Sequence, residues 1–205
     1  MADNQIDLAA VFNTVSKVLV ENQSKLNAAD TYNQDHGDHM VEVFKQITKA
    51  VGQKEGSDVV EQLAYAGQQL LKNQQSGSSA MYGENLLQAA DAFKGKQLTA
   101  ENGMQLVQLL LGAQTGQTQN QQGGVFGSLL SSLTAGGTGE GLDAGDLLNA
   151  GMTFMQSKQQ GDSNLKAALD VLVAASTAGQ TPHRAESGKL VANTLLDAIS
   201  SFSKK

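Results

Sequence analysis

The chain has no cysteine, so neither a disulfide framework nor a thiolate metal site is open to it. It has one proline, Pro182, placed just before the last helical pattern, where a break is expected. No run of β-branched residues alternates with polar ones over the length of a strand. Long apolar runs are missing too: stretches such as Leu109-Leu110-Leu111 fall far short of the ~20 residues a membrane span needs. Clustered Lys and Arg are also lacking. Lys25, Lys45, Lys49, Lys54 and Lys72 are dispersed among acids, and the net charge is −6. Binding a nucleic-acid backbone needs concentrated positive charge, so nucleic acid is not expected as a partner. The opening Met1-Ala2-Asp3-Asn4-Gln5 is polar and acidic, without the basic start of a signal peptide. A soluble cytoplasmic protein without membrane association is the expectation.

What the chain does have is helical periodicity almost throughout. Leu8, Val11, Phe12, Val15, Val18 and Leu19 form one apolar stripe at three- and four-residue spacing, and Met40, Val43, Phe44, Ile47 and Val51 form the next. Further stripes run through Leu63 and Leu70, Leu86 to Phe93, Met104 to Leu111, Leu148 to Met155, Leu165 to Leu172, and Val191 to Phe202. With 205 residues, the pattern predicts a single all-α domain over 1–205, an antiparallel bundle or barrel of eight or nine amphipathic helices. Tyr82-Gly83 is echoed by Phe126-Gly127, and Leu98-Thr99-Ala100 by Leu142-Asp143-Ala144, both 44 residues on, as a duplicated helical hairpin would produce. Residues 114–124, rich in Gln, Thr, Asn and Gly, read as a polar loop within that domain.

Between the first two stripes lies Asp30-Thr31-Tyr32-Asn33-Gln34-Asp35-His36-Gly37-Asp38-His39-Met40, with three aspartates and two of the chain's three histidines. Crowded carboxylates repel one another unless a cation or a set of donors compensates them. A hard divalent metal shared with phosphate is one solution, with Asp30 and Asp35 as ligands while His36 and Gly37 let a phosphate approach. The first helix should end near Ala29 and the second begin near Asp38, offering free backbone N–H groups to an anion. Other readings stay open: Asp38 as a plain N-cap, Asp30 as a turn residue, and a transition metal on His36, His39 and Asp35.

At these residues the chain resembles the nucleotide-binding L subunit, or L domain, of dihydroxyacetone kinase. That family carries Asp-x4-Asp-x-Asp-His-Gly-x-Asn-Met, and Asp35-His36-Gly37-Asp38-His39-Met40 matches its second half with His39 in place of Asn. Its Gly-Gly-x-Ser-Gly-x-Leu-Tyr-Gly turn is similar to Ser76-Gly77-Ser78-Ser79-Ala80-Met81-Tyr82-Gly83. The resemblance implies a helical barrel binding ADP or ATP through Mg²⁺. Asp35, with Asn33 and Asp30 nearby, would then serve as metal ligands. His36, Gly37 and His39 would lie near phosphate, and Ser78 and Ser79 would form the phosphate turn. The sequence also departs from the pattern. Asn33 replaces the family's middle aspartate, Ala28 falls where its first stands, and Ser76 and Ser79 replace glycines. His183 and Arg184, beside the last turn, read as a solvated charged pair that could also reach a phosphate. Two functions follow from the resemblance. One is a kinase-like component that transfers phosphoryl groups to a small hydroxyketone-type substrate carried by a partner protein. The other is a non-catalytic relative, binding a ligand or protein with its metal site lost.

Overall fold

A computed structural model of the chain describes residues 6–99, 102–112, 169, 172–173, 176–179 and 181–202. Among the described residues, six α-helices and a short 3-10 turn, Thr177–Gly179, are delimited, and no strand occurs. The helices are α1 (Leu8–Ala29), α2 (His36–Gly52), α3 (Val59–Lys72), α4 (Gly77–Ala92), α5 (Gly103–Leu110) and α6 (Pro182–Phe202). The all-α expectation holds for them. The stripe at Leu148 to Met155, most of that at Leu165 to Leu172, the second copy of the echo and the loop 114–124 lie outside the described residues.

Three of the helices, α1, α3 and α4, start where a side chain supplies an acceptor for the first N–H groups. Asp7 caps α1 by accepting from Ala10 N–H at 3.0 Å, and Asp58 caps α3 by accepting from Glu61 N–H at 2.8 Å. Ser76 and Ser79 form a reciprocal capping box at the start of α4. Pro182 is the first residue of α6, where its missing N–H removes no helical bond, so it opens that helix from within.

The apolar stripes converge on one core. Val11, Phe12, Val15 and Leu19 from α1 meet Phe44, Ile47 and Val51 from α2, with Leu63 and Leu70 of α3 and Leu86 of α4. Phe44 is its centre: the Tyr82 ring packs edge-on at 5.0 Å and the Phe12 ring lies 6.4 Å away. Leu169, Leu172 and Val173 join this core, as do Val191, Leu195 and Ile199 of α6. Packing contacts run from each helix to the next, and α6 returns to α1. No helix among the described residues is long and apolar enough to cross a membrane.

Candidate functional site

The chain leaves α1 at Asp30, whose backbone is extended and whose N–H donates to the Asn27 carbonyl at 3.1 Å. Asp30 is only 4% exposed, and its Oδ1 accepts the N–H of Tyr32 at 3.0 Å. That backbone bond, aided by the charge of His183, holds the carboxyl below its ordinary range. Gln34 then takes a left-handed conformation (φ 59°), and α2 begins directly after Asp35.

Asp35, not Asp38, is therefore the N-cap residue of α2, three residues earlier than the sequence suggested. Its side chain makes no cap bond and lies instead 3.3 Å from Nδ1 of His39, one turn on. Asp38 faces α1. It accepts from Gln23 Nε2 at 2.6 Å and Asn27 Nδ2 at 2.9 Å, while its own N–H donates to Asn27 Oδ1 at 3.2 Å. These amide bonds, Asn27 first, lower its pKa. Asp38 thus ties two helices together. Gly37 serves the same junction: a Cβ there would overlap the carbonyl oxygen of Gln23. Its small size is needed for helix packing, and it does not border the cleft described below.

His36 is buried, with Nε2 2.9 Å from Ser187 Oγ. Ser187 Oγ donates its own proton to the Arg184 carbonyl at 3.0 Å, so the imidazole is the donor in this pair. Burial, reinforced by the charges of His183 and Arg184, lowers the His36 pKa to about 4. It is neutral at pH 7.

The first turn of α6 carries His183 and Arg184. Both are partly buried side chains on a helix, a correction to their reading as a solvated loop pair. His183 stands edge-on to His36 with ring centres 4.8 Å apart. Its Nδ1 is 3.8 Å from Asp30 Oδ1 and its Nε2 is 3.2 Å from Thr181 Oγ1. Arg184 has no carboxylate within ion-pair distance among the described residues. Its guanidinium rests over Gly77, where a Cβ would come within 2.8 Å of Nη2. A side chain at that position would push the cation aside.

These groups enclose a cleft of about 510 Å³. The end of α1 contributes Asp30, Asn33 lies in the link, and α2 contributes Asp35, His36 and His39. Ser76, Gly77 and Ser78 come from the start of α4, and Thr181, His183 and Arg184 from the start of α6. Tyr32, 93% exposed, stands at the rim. Of the residues singled out from the sequence, Asp30, Asn33, Asp35, His36, His39 and Ser78 meet here, whereas Gly37 and Ser79 do not. Ser79 Oγ is engaged in the cap, donating to Ser76 O at 2.7 Å and accepting from the N–H groups of Gln75 and Ser76. Tyr32 and Thr181 carried no sequence signal, because neither belongs to a recognisable motif.

The resemblance implies a magnesium ion on Asp30, Asn33 and Asp35, but the donor set does not fit one. Asp30 Oδ1 is turned onto a backbone N–H, and Asp35 Oδ1 lies against an imidazole. No three His, Asp or Glu side chains among the described residues are grouped to hold a metal ion. That applies equally to the trio His36, His39 and Asp35. No protein-family model, curated protein or solved structure matches the chain.

Proposed function

We propose that the cleft binds a phosphate-bearing ligand of the ADP or ATP kind and that the protein is a ligand-binding module. The observation that carries this reading is the meeting of three helix N-termini, those of α2, α4 and α6, around Arg184, a cation without a carboxylate partner among the described residues. Helix N-termini present unpaired N–H groups and partial positive charge, and a guanidinium adds forked donors that match phosphate oxygens. Tyr32 supports a nucleotide over a bare phosphate. Its ring is almost wholly in water beside the cradle, a position with no packing role and well suited to a base. The cleft volume lies in the ordinary range for small-ligand sites. The scaffold is inferred to be an antiparallel barrel of eight or nine helices, in line with the way α1 to α6 pack in sequence and return to α1.

Thermal denaturation with and without millimolar ADP or ATP tests this. A bound ligand raises stability with its concentration, by about 2.7 kcal/mol at a hundred times Kd. The expected result is a dose-dependent rise in Tm that Arg184→Gln reduces sharply. No rise with either nucleotide refutes the reading.

A second reading is supported by Asn33 and Asp35 bordering the same cleft. An incoming magnesium nucleotide would meet two oxygen-bearing side chains, and the protein would be the kinase-like component of a pair, its partner carrying the hydroxyketone-type substrate. That reading requires phosphoryl transfer to appear only when the partner component is added.

A further inference from the structure

We propose that the cleft takes its phosphate group bare, without a divalent cation, because Arg184 and the converging helix ends supply the positive charge a metal would bring. The inference deepens the nucleotide-binding reading and rests on it. Each helix N-terminus is equivalent to about half a unit of positive charge. Three of them with one guanidinium amount to about +2.5, enough to offset a phosphate group at about −2. The donors that greet the anion are already in place. Ser78 is only 5% exposed and borders the cleft, yet its hydroxyl makes no hydrogen bond among the described residues. The residue is packed into the wall while its hydroxyl is left open to the cleft, where a ligand oxygen can take the place of water. Arg184 stands over Gly77, next to Ser78 in the first turn of α4, so guanidinium and hydroxyl address one point.

The carboxylates point to the same conclusion from the opposite side. Magnesium bound with phosphate calls for oxygen ligands disposed about a near-octahedral ion. Asp30 is withdrawn, its Oδ1 holding the Tyr32 N–H and facing His183, so that oxygen braces the wall. Asp35 is the carboxylate left at the mouth, beside His39. Toward a metal-free phosphate it acts as a like charge, and removing it should strengthen binding.

Calorimetric titration of ADP into the full chain, once in EDTA and once in excess Mg²⁺, decides the matter. Binding should be at least as tight in EDTA as in magnesium. Asp35→Asn, which keeps the side-chain shape and removes no cap bond, should tighten it several-fold by relieving repulsion. Arg184→Gln should weaken it about tenfold or more through loss of charge-assisted hydrogen bonds. Far-ultraviolet circular dichroism melts establish that each variant is folded. Binding that requires magnesium, or that disappears in Asp35→Asn, overturns the metal-free proposal while leaving nucleotide binding intact. No heat in either buffer overturns both.

Discussion

Two hollows of similar size lie on this protein, and they differ in how their polar groups are satisfied. The cleft at the helix ends has about 510 Å³; a groove along α2 and α3, lined by Glu42, Lys45, Gln46, Lys49, Tyr65 and Gln69 among others, has about 440 Å³. In the groove Gln46 Oε1 is buried without a partner among the described residues, but the charged side chains are open to water. Gln46 Nε2 donates to Glu42 at 2.9 Å, Tyr65 Oη donates to Gln53 at 3.1 Å, and Lys45 and Lys49 are exposed. In the cleft a partly buried guanidinium, that of Arg184, lacks a carboxylate among the described residues. Volume does not separate the two. A partly buried cation without a counter-ion does, because desolvating a charge is costly unless an opposite charge binds there.

The comparison can be broken most severely through α2, which lines both hollows. Phe44→Ala removes the ring between Phe12 and Tyr82 and should cost about 3–5 kcal/mol, read from the midpoint of guanidinium denaturation. Both hollows depend on that core, so the loss should appear as one cooperative transition whatever probe is used.

A smaller effect separates the cleft from the groove by pH. The folded-state pKa of His36 is about 4, below the ordinary 6.5, so the unfolded chain takes up this proton first. Its contribution to stability is complete above pH 6.5 and falls as pH drops from 6.5 toward 4. His36→Gln should flatten stability across that window. The decline at still lower pH should remain, because the depressed carboxyls of Asp30 and Asp38 stabilise the fold above their ordinary value of 3.8 and lose that effect only as they protonate. An unchanged slope between pH 6.5 and 4 in the variant would remove His36 from the account.

The smallest expected effect is none. Lys49→Gln takes a positive charge from the groove and should leave the ADP-induced rise in Tm where it is in the unaltered protein. A drop matching that of Arg184→Gln would move the ligand to the groove.

Much of the scaffold was legible because burial imposes a period. Met40, Val43, Phe44, Ile47 and Val51 recur at helical spacing and all are buried. The site was legible in part. The acidic segment marked the α1–α2 junction, but an aspartate in a sequence does not disclose what it faces. Asp30, Asp35 and Asp38 look alike on paper, yet one holds a backbone N–H, one lies beside a histidine, and one clamps α1 to α2. Gly37 and Ser79 looked equally suited to a phosphate, whereas neighbouring backbone and the α4 cap account for them.

The sequence by itself determined the helical class and the apolar faces, since these depend on residues within a few positions of one another. Only the tertiary structure decided that Arg184 would stand over Gly77, more than a hundred residues earlier, and that three helices would open onto one cleft. That outcome depends on how whole helices pack. Electrostatic character at a site is set by distances in space, and local spacing along a chain carries no record of them.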